Sequence, residues 1–391
     1  MAKENENQVY KEYSNRRKRY KRRRNIMIIS LLLLLAVVGV AYLINLYNRS
    51  YHDYKVMKTT EIKGENAVGY LSYGSSVIKY GKDGAVAYDK DANPLWNGSY
   101  EMSDPIADTC GKYVVIADKG NNSVHIYNEK GEVGSFATLY DIVKVEVAYQ
   151  GVVAALMEEG DTNYIILYDS DGTKLDEAKN TVNNAGFPMD ISLSDDGKKL
   201  VAIYLSVSEG DIVSNVVFYN FGDVGDNYTN QIVGGYIFDK GIVSPRAAFL
   251  NNDTVCVYKN NGFVIYSMKE KSKDVHEENL KGKIQSILYN KNYTGVVLES
   301  EDGTAKRLML YNLTGKKVLD KTLDFDYKRI FMTDEEIIMY DDASCIIMKV
   351  NGKVKFKYTF EGNISDFYPI NNLDRYYLIN ETKLSEIQIS E

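Results

Sequence analysis

A short β-rich phrase recurs along this chain, and its period limits the fold more than any other feature. Seven times between Val86 and Phe356 a run of β-branched and aliphatic residues ends in an aromatic ring or Met, and a polar turn follows. The marker residues are Tyr88, Tyr127, Tyr168, Tyr219, Tyr266, Tyr311 and Met348, spaced by 39, 41, 51, 47, 45 and 37 residues. LSEIQIS, Leu384–Ser390, is an eighth, degenerate copy. A second apolar run precedes each marker, from Ser76–Tyr80 to Tyr376–Ile379, and a third lies upstream of most, such as Lys144–Ala148. Three to four short strands per period make one small sheet. A lone sheet leaves both apolar faces wet; radial stacking dries them, and closing the ring leaves only short edges. The expected fold class is therefore all-β, a β-propeller of eight blades, with seven as the alternative. Tyr54–Ile62 is placed to supply the outer strand of the last blade, latching the ring with strands from both ends of the chain. Helical repeats share the period but need 3.6-residue spacing of apolar positions. The 33 Tyr against one Trp and five Pro also suit half-buried strand surfaces.

The region before the repeats has a different character. Up to Arg24 there are ten Lys/Arg against three Glu, a net of +7; the whole chain carries −7, which leaves −14 for the rest. From Asn25 to Asn48 there is no charge, and Ile26–Tyr47 is almost wholly apolar. About 20 such residues at ~1.5 Å each cross ~30 Å of hydrocarbon. A cleaved signal peptide would have a shorter apolar region and a small-residue cleavage site. Here the run is longer and carries Tyr42 and Tyr47 as interface anchors. The expectation is a cytoplasmic tail over 1–24, a transmembrane helix over 25–48 and an extracytoplasmic domain over 49–391. Few residues remain as a linker, so the ring is expected close to the membrane. Arg16, Arg17, Lys18, Arg19, Lys21, Arg22, Arg23 and Arg24 are then topology determinants that touch anionic lipid. Directly before an apolar span, that reading displaces nucleic-acid binding, and no nucleic-acid partner is expected.

Catalytic signatures do not occur. His52, His125 and His276 are scattered, and no zinc-protease, nucleophile-elbow, phosphate-loop or dinucleotide glycine pattern is present. Cys110, Cys256 and Cys345 have no close Cys neighbour and read as small buried strand residues, although one disulfide remains open. Asp169–Gly172 lacks the third ligand and distal Glu of a calcium loop, and Asp195–Gly197 follows turn geometry. No catalytic residue, cofactor or metal ligand is assigned. The connection SVSEGDIVS, Ser206–Ser214, departs most from the short-turn pattern. Its Ser208, Glu209 and Asp211 are the candidate recognition residues, since long loops on rigid scaffolds carry recognition.

SDDGKKLVA, Ser194–Ala202, resembles the strand–turn–strand signature of WD40-like, YVTN and TolB-type propellers. YDKDANPLW, Tyr88–Trp96, and YDSDGTKL, Tyr168–Leu175, resemble the quinoprotein-like repeat, also found in outer-membrane assembly scaffolds. In those families a Trp after the turn docks between blades; here only Trp96 fits. The whole plan resembles an uncharacterised Gram-positive family of single-pass membrane-anchored propellers. That resemblance implies architecture and location, not a reaction. The leading expectation is a non-enzymatic binding or scaffolding module for a protein or an envelope polymer. The alternatives are a polysaccharide-active enzyme with its site in the central funnel, and a sensor signalling through the single helix.

Overall fold

The computed structural model describes residues 2–47, 49–62, 67–300, 303–371 and 373–391, and they form two units divided after Ser50. The first unit is one helix, Ala2–Tyr47. Its segment Tyr20–Val40 has a mean hydropathy of 2.0, and every side chain in it is exposed. The segment is long and apolar enough to serve as a single-pass anchor or a signal sequence.

The second unit, Tyr51–Glu391, is a propeller of eight four-stranded antiparallel sheets among the described residues. Seven blades use four consecutive strands each. The eighth takes Asp366–Pro369, Arg375–Ile379 and Lys383–Ser390 from the end of the chain and Asp53–Glu61 from its beginning. Asp53 opposes Ser390 and Glu61 opposes Lys383, so the expected latch forms over nearly the expected residues.

The core is distributed between blades. Eight buried apolar clusters occupy the eight seams, each built from two neighbouring sheets. Val115 and Ile126 of blade 2, for example, pack with Val145, Val153 and Ile166 of blade 3. Middle strands are covered on both faces, which is why Val153–Leu156 is apolar throughout instead of alternating. The seven marker residues are all buried, and each sits at a β-bulge where the third strand meets the fourth. A bulge raises the local twist, and the marker ring crosses the seam to the previous blade. Tyr127 stacks on Trp96 at 4.7 Å, Tyr168 meets Phe136 at 4.8 Å, and Tyr311 meets Phe263 at 5.0 Å. Tyr and Phe thus fill the docking role that Trp has in the related repeats.

Strands alternate in direction, so first-to-second-strand turns lie on one face of the ring and second-to-third-strand turns on the other. Turns of the first kind touch around the ring: the Tyr149 N–H donates to the Asp195 carbonyl (2.9 Å) and the Asn290 amide to the Thr333 carbonyl (2.7 Å). The chain joins the ring on this face, where Tyr51 bridges to Phe356 and Asp53 opens the latch.

The segment Ser206–Ser214 is not a loop. It is the end of an extended hairpin, Lys199–Ser208 with Asp211–Asn220, paired out to Ser208 opposite Asp211. Only Glu209 and Gly210 form the turn, at φ +53° and +88°, the left-handed pair that a two-residue hairpin needs. The spacing of 51 before Tyr219 comes from this hairpin. The spacing of 47 after it comes from the excursion Phe221–Gln231, which holds two short 3-10 turns.

Candidate functional site at the hairpin face

The inner strands converge on a central channel. On one side of it, carboxylates tie neighbouring inner strands together. Asp108 of blade 2 accepts the Val147 N–H of blade 3 at 2.9 Å. Glu146 of blade 3 accepts the Leu193 N–H of blade 4 at 2.7 Å, and Asp190 of blade 4 accepts the Ala247 N–H of blade 5 at 2.9 Å. Lys144 lies among them, 2.9 Å from Glu146 and 2.5 Å from Asp190. The seams of blades 7 and 8 repeat the theme with other groups: Arg329 and Tyr340 both donate to Asp366, at 2.9 and 2.6 Å. These carboxylates are spent on neighbouring strands, an arrangement that holds blades in register. Asp108, Glu146 and Asp190 also line a smaller cavity of about 370 Å³, together with Lys144 and Arg246.

Burial, and then the Glu146 carboxylate, push the Asp108 pKa up to about 7, above the ~3.9 of an unfolded Asp. Between those values the folded protein holds a proton that the unfolded chain has released. The stability tied to Asp108 is therefore complete below about pH 4 and lost as pH rises through about 7. Asp108→Asn keeps an acceptor for Val147 and removes the charge. It is expected to melt like the parent at about pH 4 and to gain roughly 1–2 kcal/mol at about pH 8, a shift discounted for channel solvent. Denaturant melts at the two pH values check this; a gain equal at both would reject it.

The mouth of the channel on the hairpin face is more open. A cavity of about 770 Å³ lies there, lined by Arg246 and Arg329, the first residues of two inner strands, together with Gln285, Lys328, Tyr340 and Tyr368. The hairpin of blade 4 stands on the same face. Val207 and Ile212, a cross-strand pair near its tip, are exposed (73% and 48%), as are Phe187 and Ile237 at the ends of adjoining strands of that blade. Lys240 braces the tip through Glu209 (2.7 Å) and Asp211 (3.4 Å).

Ser208, Glu209 and Asp211, expected in a recognition loop, lie instead at and beside the turn of this paired hairpin, and the exposed apolar pair next to them was missed. Its signal was present: a hydrophobic residue on either side of a Glu-Gly turn in a strand longer than the other repeats require. Arg16, Arg17, Lys21, Arg22, Arg23 and Arg24 lie on the helix Ala2–Tyr47 with exposed side chains; the side chains of Lys18 and Arg19 lie outside the described residues. The structure does not bring this group together with the hairpin residues in one unit. Cys256 and Cys345 are buried, as expected; Cys110 is only partly so, with Asp195 at 3.6 Å on the opposite face.

No curated protein matches the chain in sequence. Among solved structures it is similar to BamB from Moraxella catarrhalis, at 12% identity and a TM-score of 0.53, over 86% of this chain and 100% of that one. It is also similar to Chaetomium thermophilum Sqt1, solved bound to the N-terminus of a ribosomal protein, at 9% identity and a TM-score of 0.58, over 86% and 100%. At such identities the likeness is one of fold. Residues 47–389 match a sequence family directly, and the chain belongs to that family, DUF5711, a family of unknown function.

Proposed function

We propose that this protein is a membrane-anchored extracytoplasmic propeller that serves as a docking module for another protein, through the face that carries the blade 4 hairpin. The observation behind this reading is the hairpin itself. The base of the extension is buried at Val213 and Ser214, but its tip exposes Val207 and Ile212 instead of covering them. An apolar pair held on a hydrogen-bonded two-strand projection fits a partner's apolar cleft. The chain joins the ring on the other face, which keeps the hairpin face clear of the attachment point. Sqt1, a propeller of similar fold, is described in complex with a protein segment, and that precedent supports a protein partner over an envelope polymer. In this reading residues 1–24 are the cytoplasmic tail, whose cations at 16–19 and 21–24 meet anionic lipid, and 25–48 crosses the membrane.

A photo-crosslinking amino acid placed at 207 or 212 of the full chain in intact native cells is expected to give one dominant adduct. The same residue at 175, exposed elsewhere on the ring, is expected to give none. Val207→Asp with Ile212→Asp should abolish the adduct formed from position 187 while changing ring stability by less than ~0.5 kcal/mol. Equal, diffuse labelling from 175, 207 and 212 would refute the docking role.

A further inference from the structure

Cations gather at the channel mouth of a domain whose overall charge is strongly negative. The cavity there is lined by Arg246, Lys259, Lys328 and Arg329, and no carboxylate lines it among the described residues. Lys259 and Lys328 are occupied by Glu277 and Asp342. The two arginines differ. Arg246 is 43% exposed, has the Tyr289 phenol beside it, and stands 3.7 Å from Asp190, beyond hydrogen-bond reach. Arg329 is 55% exposed and gives one N–H to Asp366 at 2.9 Å.

The two aspartates stand behind the guanidinium groups, each only 4% exposed. Their oxygens are shared with others: Asp190 with Lys144 and the Ala247 N–H, Asp366 with Tyr340 and Tyr368. A guanidinium has five N–H donors in a planar fork. Each arginine therefore keeps donors unspent on these carboxylates, and both stand in the wall of one cavity, Arg329 held from behind by Asp366 and Arg246 beside Tyr289. Arginines serving only to seal a seam would be covered with their partners. The remaining lining is mixed: Ser and Thr hydroxyls, the Gln285 amide and Tyr phenols share the wall with an apolar group that includes Ile284, Ile330 and Phe331. The volume lies within the ~300–1,000 Å³ typical of small-molecule sites.

We propose that this mouth binds a small amphipathic acid, a carboxylate or phosphate monoester, with its oxyanion between Arg246 and Arg329 and its apolar body against Ile284, Ile330 and Phe331. Planar, always-charged forks favour oxyanions with paired acceptor oxygens. This site is separate from the hairpin tip, and either can hold if the other fails.

Calorimetric titration of the full chain in zwitterionic nanodiscs tests it, with phenyl phosphate, benzoate, inorganic phosphate and phenol as probes. Saturable binding of phenyl phosphate or benzoate is expected, tighter than inorganic phosphate, with none for phenol; the stronger of the first two identifies the oxyanion. Arg246→Gln and Arg329→Gln should each weaken that binding at least tenfold. Arg246→Lys, which keeps the charge and protects against loss of fold, should weaken it less. Raising NaCl from about 0.05 to 0.5 M should weaken it in the parent protein, a readout that needs no variant. Absence of saturable heat from all three anions, or affinity unchanged in both Gln variants, would overturn the proposal.

Discussion

A chain lacking residues 1–62 is expected to lose most of the stability of the propeller, whereas one lacking only residues 1–50 is expected to melt as a single cooperative unit. The difference is the strand Asp53–Glu61, which contributes few deeply buried side chains but pairs with Lys383–Ser390 from end to end. Without it that strand becomes an open edge in the closing blade. The edge-on contacts of Tyr54 with Tyr358 and Phe360, both at 5.0 Å, disappear with it. So does the tie from the Tyr51 N–H to the Lys355 carbonyl, which joins the incoming chain to blade 7. At ~0.5–1.5 kcal/mol for each net hydrogen bond, the loss is at least ~4 kcal/mol, against a typical total of ~5–15 kcal/mol. Thermal melts followed by circular dichroism compare the two truncations. A drop of at least ~5 °C in the midpoint, with a broadened transition, is expected. Coincident, equally sharp melts would show that the ring does not depend on its latch.

The second large effect concerns a buried ion pair at the seam of blades 7 and 8. Glu336 and Lys355 are each 4% exposed and in direct contact. Tyr376, from blade 8, donates to Glu336 and accepts from Lys355, at 2.8 Å in both cases. Burial raises the pKa of Glu336 even though Lys355 and Tyr376 pull it down, so desolvation outweighs pairing. Lys355→Met would take the nearest cation from a buried carboxylate, leaving it Tyr376 and the Lys349 charge across the strand pair, at a cost of up to ~3–5 kcal/mol near neutral pH. The cost should shrink as pH falls, because the raised carboxyl takes up a proton and ceases to be a buried charge. Adding Glu336→Leu should return stability to within ~1 kcal/mol of the parent, since two apolar groups need no mutual compensation. Urea melts of the three proteins at pH 5 and 8 decide it. A single variant as stable as the parent would refute the account, as would a double variant no better than the single.

The architecture was legible because its signals are local. Each blade repeats the same alternation and turn, and each marker residue sits at a bulge set by its own hairpin, so Tyr88 to Met348 could be counted without a structure. The latch was legible for the same reason, as an unpaired β-run at one end of the chain matching an incomplete repeat at the other. Ser206–Ser214 shows the limit of that logic. A segment rich in Ser, Glu, Asp and Gly reads as loop by composition. Cross-strand pairing from Leu205 with Ser214 to Ser208 with Asp211 made it strand, and pairing depends on what lies opposite.

The channel could not be read from the chain at all. Arg246 and Arg329 open strands of different blades, in local settings like those of many exposed strand cations, and Asp108, Glu146 and Asp190 look like ordinary alternating polar positions. They acquire meaning only when the ring brings inner strands of separate repeats side by side. The sequence by itself determined an apolar helix followed by eight small sheets, because periodicity, turn chemistry and strand propensity act over a few residues. The tertiary structure alone decided which side chains meet across a seam or face the channel, because ring closure sets those distances between residues that are remote along the chain.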